Sequence, residues 1–488
     1  MKLTGRLVLM AISVLLVAGC ASFHAKPISP AVTARALEAR TLTARGLREF
    51  MEKNTRQPIK RWPLRSWDLR SLALATAYYS PALDVMRAKW GVAKAAVITA
   101  GALPNPSASF FGEHHSSTPG GISPWTWGIS LSIPVQTAGK RGYRIRQAMH
   151  LSAAAQLNIA ETAWHVWSGL RRSLLGLYAA TGGQRYLRKQ LLAQEKIAKL
   201  FEKRLSVGQS SQFEVTQSRL ALDKTRLVIA ANRKRTAIAR SSLARALGLQ
   251  AKALNGIRIS FGVLKRAPVP VHLKDVRREA LLGRADILSA LQEYDASQSA
   301  LQLEIAKQYP DIHIGPGYEW DQGDNRWALG ISLVLPVFNQ NQGPIAQAKA
   351  RRKELAAKFA ALQAEIIGQI DSAEAAYSES LKDLRVADSI VSAEGANLQA
   401  VRARFRLGQA NLLDLEQAKM EFFTAQLSRF DALILAQSDL MGLEDAVQRP
   451  LVKQEWPKKG IFYGADIFRA PRKEVKKVGA KEKNETRR

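Results

Sequence analysis

The chain has 488 residues, 47% of them apolar, and a formal charge of +31. That apolar share excludes general disorder, and the length allows several compact domains or one very elongated one. A chain this basic raises nucleic acid or anionic lipid as a partner; the secretory start described next argues against nucleic acid.

Lys2 and Arg6 open the chain, Leu7 to Gly19 form an apolar run too short to span a bilayer, and Val17-Ala18-Gly19-Cys20 closes it. That order reads as a signal peptide over residues 1–19. Its end resembles the bacterial lipobox, which implies cleavage before Cys20 and lipidation of that residue. Ala21, where such signals carry Asp for inner-membrane retention, points to the outer membrane. Cys20 is the only cysteine, so no internal disulfide can form. Residues 20–66 read as a lipid-anchored N-terminal segment. The basic stretch Arg48 to Arg65 and the basic tail 450–488 read as solvated or lipid-facing surface.

From Trp67 the chain reads as helix, two strands and a long helical hairpin, and then does so again, giving repeats over 67–267 and 268–449. The first helix is expected from Leu69 to Ala102 and its counterpart from Leu273 to Gln308. Strands follow in which Trp127, Ile129, Leu131 and Ile133 alternate with Gly128, Ser130 and Ser132; Leu329, Ile331, Leu333 and Leu335 repeat the pattern. Ile312, Ile314, Tyr318 and Trp320 do the same beside small or polar residues. Period two with one oily face suits a soluble sandwich or a barrel in lipid; the outer-membrane address favours the barrel. No other run nears the roughly 18 apolar residues a membrane helix needs. Four strands cannot close a barrel and open edges are forbidden in lipid, so copies must share it: eight strands from two or twelve from three.

No proline interrupts 135–267 or 345–449, and each span predicts one hairpin with arms of about 55–65 residues, roughly 80–100 Å. Leu384, Val391, Leu398 and Phe405 recur every seven residues, as Leu191, Ala198 and Leu205 do earlier, which predicts left-handed coiled-coil packing. Thr181-Gly182-Gly183 predicts a break in the first arm. Arg204 to Gln217 returns 200 positions later as Arg404 to Gln417. Each copy reads as a sharp turn, with Gly208 or Gly408 ending one helix and Ser211/Glu214 or Asn411/Asp414 capping the next.

No motif for catalysis, cofactor binding or a tight metal site is present: there is no G-x-S-x-G, no H-E-x-x-H and no phosphate loop. His114 and His115 are adjacent, so their side chains diverge. A conduit must release what it carries.

From about Trp67 to Gln448 the chain resembles the TolC-type outer-membrane efflux proteins. Leu103-Pro-Asn-Pro, Gly-Ile-Ser-Leu-x-x-Pro-Val in both halves and the twin Gly-Gln turns carry the likeness. Gln136 to Tyr143 and Phe338 to Gly343 narrow it to CzcC-like members, which serve heavy-metal efflux. The resemblance implies a mainly α fold with a small β part: a homotrimer sharing one twelve-stranded barrel in outer-membrane lipid, continued by an α-helical tunnel across the periplasm. It implies an adaptor protein and an inner-membrane pump as partners. Leu205, Val207, Gly208, Phe405, Leu407 and Gly408 then fall at the adaptor contact, and Glu214 and Asp414 at the periplasmic aperture. The family's second aperture acid is Gln417 here, and Glu416 beside it is expected at the aperture as the third acid. The Tyr and Arg that lock some members are Phe405 and Ala410. Capping alone accounts for Glu214 and Asp414 equally well. Divalent heavy-metal cations are the leading cargo. Drugs, solvents or polypeptides on the same fold, or a lipid-anchored periplasmic coiled coil without a channel, are the alternatives. A cation conduit further requires the excess positive charge to lie away from the lumen.

Overall fold

A computed structural model describes residues 22–271 and 274–451; Cys20 and the tail beyond 451 lie outside them. Residues up to Thr41 form one unit, whose helix α1 (Pro30–Glu38) buries nothing. The second unit begins at Leu42. Its helices are α2 (Arg45–Thr55), α3 (Leu69–Tyr79), α4 (Pro81–Gly101), α5 (Lys140–Ser206), α6 (Gln212–Ala246), α7 (Lys274–Gly283), α8 (Ala285–Ala306), α9 (Gln342–Arg406) and α10 (Leu412–Val447). Strands β1 (Ser107–His114) and β2 (Trp125–Val135) lie between α4 and α5; β3 (Ile312–Asp321) and β4 (Asp324–Leu333) lie between α8 and α9.

The strands form one antiparallel sheet in the order β1-β2-β3-β4. Phe110 opposes Ile129, Ile129 opposes Tyr318, and Tyr318 opposes Trp327, so these side chains share a face. Further down, Ile133, Ile314 and Ile331 continue it. The β2–β3 ladder skips Leu131 and Ser132, where Pro316 supplies no N–H. Aromatic residues gather toward the hairpin loops, with Trp125 stacked on Trp127 at 5.2 Å and Trp127 on Phe110 at 5.7 Å. The aliphatic residues sit toward the helices. This is the layout of a lipid-facing barrel wall with an aromatic girdle. The opposite face carries Ser130, Gly317, Ala328, Ser132 and His313. Among the described residues no helix is long and apolar enough to cross a membrane.

The helices pack side by side in an order that follows the sheet. Near the strands it is α4, α5, α8, α9; toward the far tips it is α6, α5, α10, α9. α5 and α9 run the full height, 67 and 65 residues, or about 100 Å. The descending arms do not match them, as equal arms were expected to. α6 and α10 have 35 and 36 residues, because Gly248 (φ 71°) and Gln448 (φ 47°) turn the chain out of helix halfway up. The short helices α4 and α8 fill the upper half instead.

Each expected helix before a strand pair is two helices. Ser80 caps α4 through the Leu83 N–H, with Pro81 at its first position. Arg284 separates α7 from α8, and its guanidinium grips Asp286 at 2.7 Å. The glycine pair in the first arm does not break it: α5 is continuous through Gly182. A Cβ there would lie 2.3 Å from the Phe430 ring, so this glycine admits a neighbouring helix's aromatic ring rather than ending a helix.

The main core lies at mid-height, where Leu42, Leu47, Met51, Trp67, Trp167 and Leu243 are buried together. Residues from Leu42 onward thus pack into this compact unit. Arg48, expected on the surface, is half-buried and paired with Glu52 at 3.0 Å. Trp67 bridges to the chain at Ile259, donating from its N–H to the Arg258 carbonyl at 2.8 Å. The two repeats are tied across α5 and α10. Arg171 pairs with Glu444 in full burial, and Trp164 and Ser168 donate to Asp445 at 3.0 and 2.6 Å. Of the expected heptad, Leu384 and Leu398 are buried against α10, Val391 is half-buried and Phe405 is exposed.

Candidate functional site

The two hairpin tips share the same turn and capping-box hydrogen bonds. α5 ends with the Gln209 N–H on the Arg204 carbonyl at 2.8 Å and the Gly208 N–H on Leu205 at 3.0 Å. α9 ends with Gln409 on Arg404 at 2.8 Å and Gly408 on Phe405 at 3.1 Å. Gly208 and Gly408 have φ of 72° and 73°, the left-handed backbone a Cβ opposes. A capping box then opens each descending helix. The Ser211 hydroxyl accepts from the Glu214 N–H, whose carboxylate accepts from the Ser211 N–H at 2.7 Å; Asn411 and Asp414 do the same at 3.0 and 2.9 Å. The Ser211 N–H, then the Ser210 and Ser211 hydroxyls, hold the Glu214 carboxyl below the ordinary carboxylate range. Both acids cap their helices.

The third acid expected at the aperture is buried within the single chain. Glu416 is 2% exposed, and its carboxylate takes hydrogen bonds from Lys419 at 2.8 Å and Lys196 at 3.4 Å. It is an ion-paired carboxylate between α5 and α10, because α10 is flanked by both α5 and α9 whereas, among the described α-helices, α6 is flanked by α5 alone. The same asymmetry separates Phe213, 70% exposed, from its counterpart Leu413, 7% exposed. Spacing alone could not separate these pairs; which hairpin is flanked decides them.

Of the expected contact residues, Val207 and Leu407 are strongly exposed, Phe405 is exposed, and Leu205 is half-buried. Phe213 and Leu412 add to this apolar tip surface and were not singled out from sequence, though both sit inside the repeated motif. Just above the tips a cleft of about 410 Å3 brings Glu214 and Gln417 together with Ile197, Phe201, Phe213 and Met420.

The outer membrane efflux protein family matches residues 72–249 and again 276–447, one stretch in each repeat. The chain belongs to the outer membrane efflux protein family. It is 22% identical to the cobalt-zinc-cadmium resistance protein CzcC of Cupriavidus metallidurans over 305 residues, 61% of this chain and 71% of that protein. The Campylobacter jejuni CmeC outer membrane channel has the same fold: TM-score 0.64 at 15% identity, covering 92% of this chain and 94% of that one. CusC gives 0.63 at 16% identity, over 88% and 99% of the two chains. The family and fold expected from the paired Gly-Gln turns and alternating strands are therefore the observed ones. They are those of outer-membrane channels, not of enzymes.

Proposed function

We infer that three copies of this chain close a twelve-stranded barrel and a helical tunnel, forming the outer-membrane exit duct of a tripartite efflux system. The observation that carries it is the pair of free flanks. β1 and β4 are sheet edges with no partner strand among the described residues, and a sheet in lipid cannot leave its edges open. In the helical wall, α9 and the α4/α6 column are likewise flanked on one side only. β4 of one copy beside β1 of the next, and α9 beside α4 and α6, closes both layers at once.

The exposed apolar tips, Val207, Phe213, Phe405 and Leu407, form the surface on which a periplasmic adaptor protein docks, with an inner-membrane pump beyond it. Glu214 and Asp414 lie at the narrow end and cap the helices that shape it. The cargo is divalent heavy-metal cations, a reading supported by the likeness to the cobalt-zinc-cadmium resistance protein. Deleting the chain from its native host tests this: cobalt, zinc or cadmium should accumulate, and restoring the chain should reverse it. Unchanged metal content with raised retention of dyes or drugs would assign it to the other cargo class.

A further inference from the structure

Where the strands give way to helices, three segments enclose a cleft of about 570 Å3: the start of α5, the end of α8 with its turn into β3, and the stretch after β4. Its helix side is cationic. Lys140, 7% exposed, donates to the Tyr309 carbonyl at 2.5 Å and to Asp311 at 2.7 Å. Arg144 makes its hydrogen bonds to neutral acceptors, the Ala100 and Ala102 carbonyls and Gln136 Oε1. Lys307 pairs with Glu304 at 2.7 Å. Three cations thus face two carboxylates. The sheet side is apolar and open: Tyr309, Leu335 and Phe338 are 61, 67 and 96% exposed. Leu335 continues, by alternation, the lipid-facing row Leu329, Ile331, Leu333.

We propose that this cleft binds the headgroup of an anionic phospholipid, with its phosphate against Arg144 and Lys307 and an acyl chain along Leu335 and Phe338. Charge complementarity and continuity with the apolar sheet face select this occupant. A free phosphate would leave the apolar rim without a role, and a zwitterionic lipid would leave the excess cation unmatched. Such a site also places part of the chain's positive charge at the membrane boundary. Arg141 and Arg146 are exposed on the same stretch of α5.

The proposal rests on the sheet being membrane-spanning, which insertion of the protein into phosphatidylcholine vesicles tests separately. For the lipid, the protein purified as assembled in neutral detergent is titrated with phosphatidylglycerol or phosphatidylcholine and read by native mass spectrometry. Phosphatidylglycerol should be retained in preference. Arg144→Gln or Lys307→Gln should each cut that preference about fivefold, and Phe338→Ser should weaken both lipids together. Equal retention of the two lipids, a preference unchanged in both charge variants, or displacement by millimolar inorganic phosphate would overturn it. So would equal lipid binding by Phe338→Ser and the unaltered protein.

Discussion

α5 and α9 are near twins in length and position within their repeats, yet they live in different surroundings. α5 is buried at intervals from Lys140 to Ala198. α9 buries nothing before Ile366 and nothing after Leu398. The difference is in neighbours rather than in helix-forming sequence. α5 has a helix on either side at every height, while among the described residues α9 has α8 above, α10 below and α7 touching it at mid-height. Val386 and Ile390, exposed on α9, find no partner within the described chain. A single copy is thus complete at its middle and unfinished at its flank, as expected of a segment of a closed wall.

That contrast can be broken first at its strong side. Trp167 on α5 is fully buried in the mid-height core, so Trp167→Ala should cost about 3–5 kcal/mol. Val386→Ala on α9 should hardly change the stability of the separate chain. Thermal unfolding of solubilised, unassembled protein checks both. Next comes the sheet. Leu131→Arg or Leu333→Arg should cost about 2–4 kcal/mol if near mid-membrane, and Ser130→Arg or Ser332→Arg far less; equal tolerance on the two faces would deny a lipid-facing side. Unfolding in lipid vesicles is the measurement.

At the tips the effect is smaller and local. Gly408→Val puts a β-branched residue at φ 73°, costing about 1–2 kcal/mol. Assembly in the membrane should persist while adaptor crosslinking and export fail. Gly208→Val should act alike, since the two turns share their bonds.

The smallest effect expected is a pH dependence where α8 meets the strands. Burial raises the Glu304 carboxyl, but hydrogen bonds from Lys307 and Asn341 outweigh it and hold it below its ordinary value. A depressed carboxylate stabilises the fold above its unfolded pKa of about 4.3, and that contribution is lost as pH falls through the folded value. Melting temperature followed downward from pH 5 should therefore drop less steeply in Glu304→Gln than in the unaltered protein.

Much of this was legible in the sequence because it depends on local chemistry. Period-two alternation marks the apolar sheet face, and a glycine ahead of a capping box marks each tip. What was not legible depends on neighbours. Gly182 looked like a helix breaker because its role is set by Phe430, which is far away in sequence. The burial of Glu416 depends on α5, which brings Lys196 over it from far away in sequence. The unequal arms were missed for a related reason: lack of proline allows a long helix, but Gly248 and Gln448 end the descending ones by turning left-handed. Phe213 and Leu413 are alike in sequence and opposite in exposure, because α10 lies between α5 and α9 whereas, among the described α-helices, α6 is flanked by α5 alone.

The central claim is that the open flank of α9 and the free edges of the sheet are covered by further copies of the same chain. Cysteine crosslinking measures it most directly, in a Cys20→Ala background that leaves no other thiol. Cysteines placed at Val386 on α9 and, one at a time, along the exposed apolar positions of α6, such as Leu220, Leu227 and Val228, are oxidised in outer-membrane preparations. Intermolecular bonds are expected for at least one pairing, with a product series that stops at three chains. Products confined to single chains, or a series that stops at two or runs past three, would contradict it.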